Sequence, residues 1–105
     1  MKENVEYKIF IGCSDSQVRD EIIPEQELRE MVVQFFERYE IDFSMLSAKG
    51  GYLHEDGRFM IEDTLIVDII GAGDLDIIRL ANGLSMFMNQ ECSLIVRHAL
   101  KTEFC

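Results

Sequence analysis

Two short stretches carry residue types that could bind or activate a small molecule. His54-Glu55-Asp56 stands at a turn shortly before Glu62-Asp63, and imidazole with carboxylates is a ligand set for a divalent metal. Polar residues at a turn are ordinarily there to meet water, so no metal is expected. In Ser47-Ala48-Lys49-Gly50-Gly51-Tyr52, an ammonium beside two glycines could admit an anionic ligand or a partner backbone. Lys49, Gly50 and Gly51 are therefore the candidate ligand-binding residues. The alternative is a bulge in an edge strand, with Lys49 discouraging edge-to-edge pairing.

The remaining motifs give less. Gly12-Cys13-Ser14-Asp15-Ser16 lacks the glycine and lysine spacings of phosphate and dinucleotide loops. Nothing places His54 or His98 beside Cys13 to make a nucleophile, and a buried structural thiol is the ordinary reading. Gly71-Ala72-Gly73 reads as a strand-to-helix turn, with Asp74 as the helix cap. An anion at that helix start would be opposed by Asp74 and Asp76. No catalytic residue and no cofactor are expected, and the chain reads as non-enzymatic.

The charge says more. Twenty acids against ten bases leave −10 on 105 residues, which argues against direct binding to nucleic acid or anionic lipid. Nine acids and three bases fall between Asp15 and Asp42. The helix in this stretch turns an apolar stripe inward, so its carboxylates point out. Glu25, Glu30, Glu37 and Glu40 are the expected partner-binding residues, facing a protein with a basic surface. A solvated helix face explains the same pattern without a partner.

A hydrophobic content of 48% supports one folded domain over 1–105. Three cysteines without paired or ligand spacing, and an N-terminus without a signal-peptide pattern, point to the cytoplasm. Tyr7 to Gly12 reads as a strand. Pro24, Glu25 and Glu27 open a helix whose stripe is Leu28, Met31, Val32, Phe35, Phe36 and Tyr39. Phe43 to Leu53 and Phe59 to Ile70 read as strands, joined at Asp56-Gly57 by a type I′ turn. From Leu65 to Ile70, only Asp68 interrupts the apolar run of the second of these. Ile77, Leu80, Ala81, Leu84, Phe87 and Met88 form another helical stripe, ended by Asn89 or Gln90, and Ser93 to His98 is the last core strand.

This order is the ferredoxin-like βαββαβ pattern, an α+β fold with a four-stranded antiparallel sheet and two helices on one face. The strand order should be 4-1-3-2. Phe10, Leu46, Ile66, Ile70 and Ile95 are candidates for the uncovered face, and an apolar open face favours a homodimer.

Tyr7-Lys8-Ile9-Phe10-Ile11-Gly12, the stretch Ser47 to Gly57, and Glu62-Asp63-Thr64-Leu65-Ile66-Val67 resemble short proteins of conjugative elements and phages of Gram-positive bacteria. The resemblance implies a mobile-element setting. The expected function is then an acidic interaction domain that inhibits a host defence nuclease, anti-CRISPR fashion, by occupying its basic nucleic-acid channel. The alternative is a regulatory domain sensing a small molecule or metal.

Overall fold

Alternation decides which side of each strand is buried. In β1 (Lys2–Gly12), Val5, Tyr7, Ile9 and Ile11 are buried, as are Leu65, Val67 and Ile69 of β3 (Phe59–Gly71). The computed structural model describes residues 2–12, 24–71, 75–89 and 92–103. Helix α1 (Glu25–Tyr39) follows β1, β2 (Ser44–Leu53) precedes β3, and α2 (Ile77–Met88) leads to β4 (Cys92–Thr102). The sheet order is β2-β3-β1-β4 with every pair antiparallel. That is the ferredoxin-like arrangement read from the sequence, with β2 and β4 at the edges.

Leu28, Val32, Phe35 and Phe36 of α1, with Ala81, Leu84 and Met88 of α2, close the core over β1 and β3. Tyr39, the last residue of the expected α1 stripe, is exposed. Phe36 is the centre of this layer. It is fully buried, stacks on Phe43 at a centroid distance of 4.8 Å and meets Phe35 edge-on at 5.4 Å. Strands β1 and β4 are longer than the sequence patterns: β1 begins at Lys2 and β4 runs to Thr102, where Asn4 Nδ2 donates to Thr102 Oγ1.

Both helices end in a left-handed residue, Glu40 (φ 54°) and Asn89 (φ 52°). The cap of α2 is corrected. Asp76, not Asp74, holds the N-terminus: its Oδ1 accepts from the backbone N–H of Arg79 at 3.1 Å, while Asp74 lies outside the described residues. Asp76→Ala should cost about 1 kcal/mol, read as a melting temperature lower by roughly 4 °C. An unchanged melting temperature would contradict the cap.

Three further expectations are corrected. The β2–β3 turn is not type I′, because Gly57 (φ 90°) has positive φ and Asp56 does not. The Gly57 N–H donates to the His54 carbonyl at 2.9 Å and the His54 N–H to the Arg58 carbonyl at 2.8 Å. This is a three-residue loop, a type I turn closed by a left-handed glycine. Gly50-Gly51 makes no bulge, since the β2–β3 register runs unbroken from Ser44↔Asp68 to Leu53↔Phe59. A Cβ on Gly51 would stand 2.7 Å from the Phe59 ring, so close approach is what this glycine allows. Finally, Ile95 pairs with Ile9 and packs against the core; Leu94 and Val96 take the open face of β4 instead.

Candidate functional site on the open sheet face

The antiparallel registers arrange the uncovered side chains in rows across the strands. Leu46, Ile66, Phe10 and Leu94 are successive cross-strand partners and form an apolar row. Two residues along, about 7 Å away, Ser44, Asp68, Lys8 and Val96 form a polar row. Ile70, Glu6 and His98 make the third. Leu46 and Leu94 are about half exposed, at 51% and 53%. An apolar platform thus borders a band of mixed charge.

The band has its own chemistry. His98 Nε2 lies 3.0 Å from Glu6 Oε1, with the Glu6 side chain only 13% exposed. Glu6 in turn hydrogen-bonds the Asp68 carboxyl. Desolvation first, then the Glu6 hydrogen bond and charge, push Asp68 up from 3.8 to about 6, against the opposing pull of Lys8 and His98. Asp68 Oδ1 is buried without a hydrogen-bond partner among the described residues. Asp68 also lines a recess of about 240 Å³ with Asp42, Phe43, Ser44, Leu46 and Ile70. A carboxyl that titrates near neutrality beside a recess is what proton-transfer chemistry uses.

Of the residues expected from sequence, Lys49, Gly50 and Gly51 are not brought into one site. Lys49 Nζ is 2.8 Å from Asp63 Oδ1, and that hydrogen bond and charge raise the lysine pKa. Lys49 and Gly51 share the helix side of the sheet, while Gly50 lies on the open side opposite Glu62. On α1, Glu30, Glu37 and Glu40 are exposed. Glu25 is half-buried rather than freely displayed: Arg29 Nη2 donates to Ser47 Oγ, and Ser47 Oγ donates to Glu25 Oε1. Asp15, Asp20, Glu21 and Cys13 lie outside the described residues.

His54, Asp56 and Arg58 form a local turn network. Arg58 donates its backbone N–H and its Nε to Asp56, which holds that carboxyl below its usual range. Among the described residues no group of three or more His, Cys, Asp or Glu is placed to hold a metal, and no helix is long and apolar enough to cross a membrane. A larger concavity of about 570 Å³ between the helices is lined mainly by apolar and aromatic side chains, among them Phe35, Tyr39, Leu80 and Met86. Its acid, Asp76, is committed to capping α2.

No family model and no curated protein matches the chain. Solved structures do. A phage SAM lyase in its apo state superposes with a TM-score of 0.58 at 14% identity, over 98% of this chain and 93% of that one. A phage SAM lyase in complex with S-methyl-5′-thioadenosine gives 0.56 at 17%, over 93% and 81%. A B. subtilis GlnK–ATP complex aligns over 94% and 84% at 9% identity, with a TM-score of 0.43. At these identities the likeness is one of fold. It nevertheless corrects the non-enzymatic expectation: this fold carries an enzyme in the phage SAM lyase, so missing sequence motifs do not argue against catalysis.

Proposed function

We propose that this chain is an enzyme that cleaves an adenosyl sulfonium of the S-adenosylmethionine type on the open face of its sheet. The observation that carries the reading is the pairing of rows. An apolar platform of Leu46, Ile66, Phe10 and Leu94 runs alongside Ser44, Asp68 and Lys8. A flat purine suits the first row, and a charged amino-acid end suits the second. The strongly acidic chain also favours a cationic sulfonium. The lyases of the same fold motivate the substrate class.

The chemistry follows from the groups in the polar row. When the carbon–sulfur bond breaks, its electron pair leaves with sulfur as a neutral thioether. The remaining chain balances by giving a proton from the carbon next to the breaking bond to the Asp68 carboxylate, and the C–H electrons become a carbon–carbon double bond. Asp68 passes the proton to water through Glu6 and His98. A carboxyl near 6 is ionised at neutral pH yet basic enough to accept. Saturating S-adenosylmethionine should raise the melting temperature, since a ligand at a hundred times its Kd adds about 2.7 kcal/mol. No rise, with no product formed, contradicts the reading.

A second reading rests on α1, where Glu30, Glu37 and Glu40 are exposed. Here the chain is a mobile-element inhibitor whose acidic helix, with Glu25 at its start, occupies the basic channel of a defence nuclease. Such binding should weaken at least tenfold from 50 to 300 mM salt. Salt-independent binding contradicts it. In either reading we place self-association on the β2–β3 ribbon, where Leu53, Phe59 and Ile61 are exposed and cross-strand partners share one side. A one-chain mass by light scattering contradicts that dimer.

A further inference from the structure

The polar row raises a question of fit. Its recess of about 240 Å³ is smaller than the ~300–1,000 Å³ that whole drug-sized ligands fill, so it takes a fragment of a substrate rather than all of it. Ser44, Asp68 and Lys8 lie in register across three neighbouring strands, which spans about 10 Å from Ser44 to Lys8. An ammonium donor therefore stands at one end. At the other, Asp42 and Ser44 line the recess with acceptor oxygens. Asp68 sits between them.

We propose that this row is a clamp for an α-amino-acid head group, with Lys8 on the carboxylate and Asp42 with Ser44 on the ammonium. The inference rests on the lyase reading and adds to it what orients the substrate. The ammonium and carboxylate of an α-amino acid sit on one carbon, so the long Lys8 side chain must close most of the distance across the row. A zwitterion held between it and Asp42 then carries its carbon chain over Asp68, the group assigned to take the proton. Neither charge alone suffices: a cationic amine without the carboxylate leaves Lys8 unmatched, and a free carboxylic acid leaves Asp42 unmatched. The apolar row then receives whatever the amino acid carries at its far end. Lys8 and Asp42 are positioning residues, and their loss should appear in KM while Asp68 acts in kcat.

The test uses the full chain and two probes. S-methylmethionine, a sulfonium amino acid without a nucleoside, should perturb the NMR amide signals of Lys8, Asp42, Ser44 and Asp68. Lys8→Met and Asp42→Asn, checked for native spectra, should remove that response and raise KM for S-adenosylmethionine at least tenfold, as expected for a lost hydrogen bond to a charged group. Decarboxylated S-adenosylmethionine should bind the wild type more weakly than the parent, and the two should bind K8M alike. Cleavage of S-adenosylmethionine with no response at these amides, or with KM unchanged in K8M and D42N, overturns the clamp and leaves the lyase standing. A response to S-methylmethionine without any cleavage supports the clamp and overturns the lyase. No response and no cleavage overturns both.

Discussion

Asp68→Asn should make the protein more stable at pH 7.5 and at the same time reduce turnover at least a hundredfold. The stability half follows from linkage. The native carboxyl sits at about 6 and the unfolded one near 3.9, so between those values the native state holds a proton that the unfolded state has released. Native binding of the extra proton means that stability falls as pH rises through that window and levels off above about 7. That difference has a ceiling of about 3 kcal/mol, and water at the open face cuts this to about 1 kcal/mol. Asparagine carries no such penalty. The D68N melting temperature should therefore exceed the wild type by roughly 4 °C at pH 7.5, and the acid-side pH dependence should flatten. The activity half follows because an amide accepts no proton, and a placed base is worth about 10²–10⁴ in rate. A D68N variant that is less stable at pH 7.5 contradicts the environment assigned to this side chain.

Phe36→Ala should cost about 4 kcal/mol, the cost of emptying a fully buried ring site. Phe36 is 0% exposed and packs on both Phe35 and Phe43, so it ties α1 to the chain entering β2. Domains of this kind are stable by only about 5–15 kcal/mol in total, so the loss is a large share. Urea denaturation should show the midpoint dropping with an unchanged slope. A cost below about 1 kcal/mol would mean that α1 does not seat on this ring.

The fold was legible because its periodicities are clean. Tyr7, Ile9 and Ile11 alternate, Leu28, Val32, Phe35 and Phe36 repeat at helical spacing, and together with the hairpin they leave one sensible sheet order. The errors came where a single backbone angle or a near-equivalent residue decides. Asp56-Gly57 suits two turn types, and the φ of Asp56 chooses between them. Asp74 and Asp76 are both good cap residue types, and what marks Asp76 is the bond that its side chain accepts from the Arg79 N–H.

The site was hidden for a different reason. Glu6, Lys8, Asp68 and His98 come from three strands and meet only through register. Local spacing contains no trace of that meeting. Asp68 alone left a signal, as the one charge in the apolar run from Leu65 to Ile70. Glu25 was read as displayed because its contact with Ser47 depends on how α1 lies over β2. The sequence pattern placed charge along α1 correctly for Glu30, Glu37 and Glu40.

Lyase activity is read most directly as product formation from S-adenosylmethionine by the purified chain at pH 7, followed by mass spectrometry. Wild-type protein should release S-methyl-5′-thioadenosine steadily, and D68N, folded and more stable, should release it at least a hundredfold more slowly. No thioether product from the wild type, or equal rates from the two proteins, would contradict a lyase that uses Asp68 as its base.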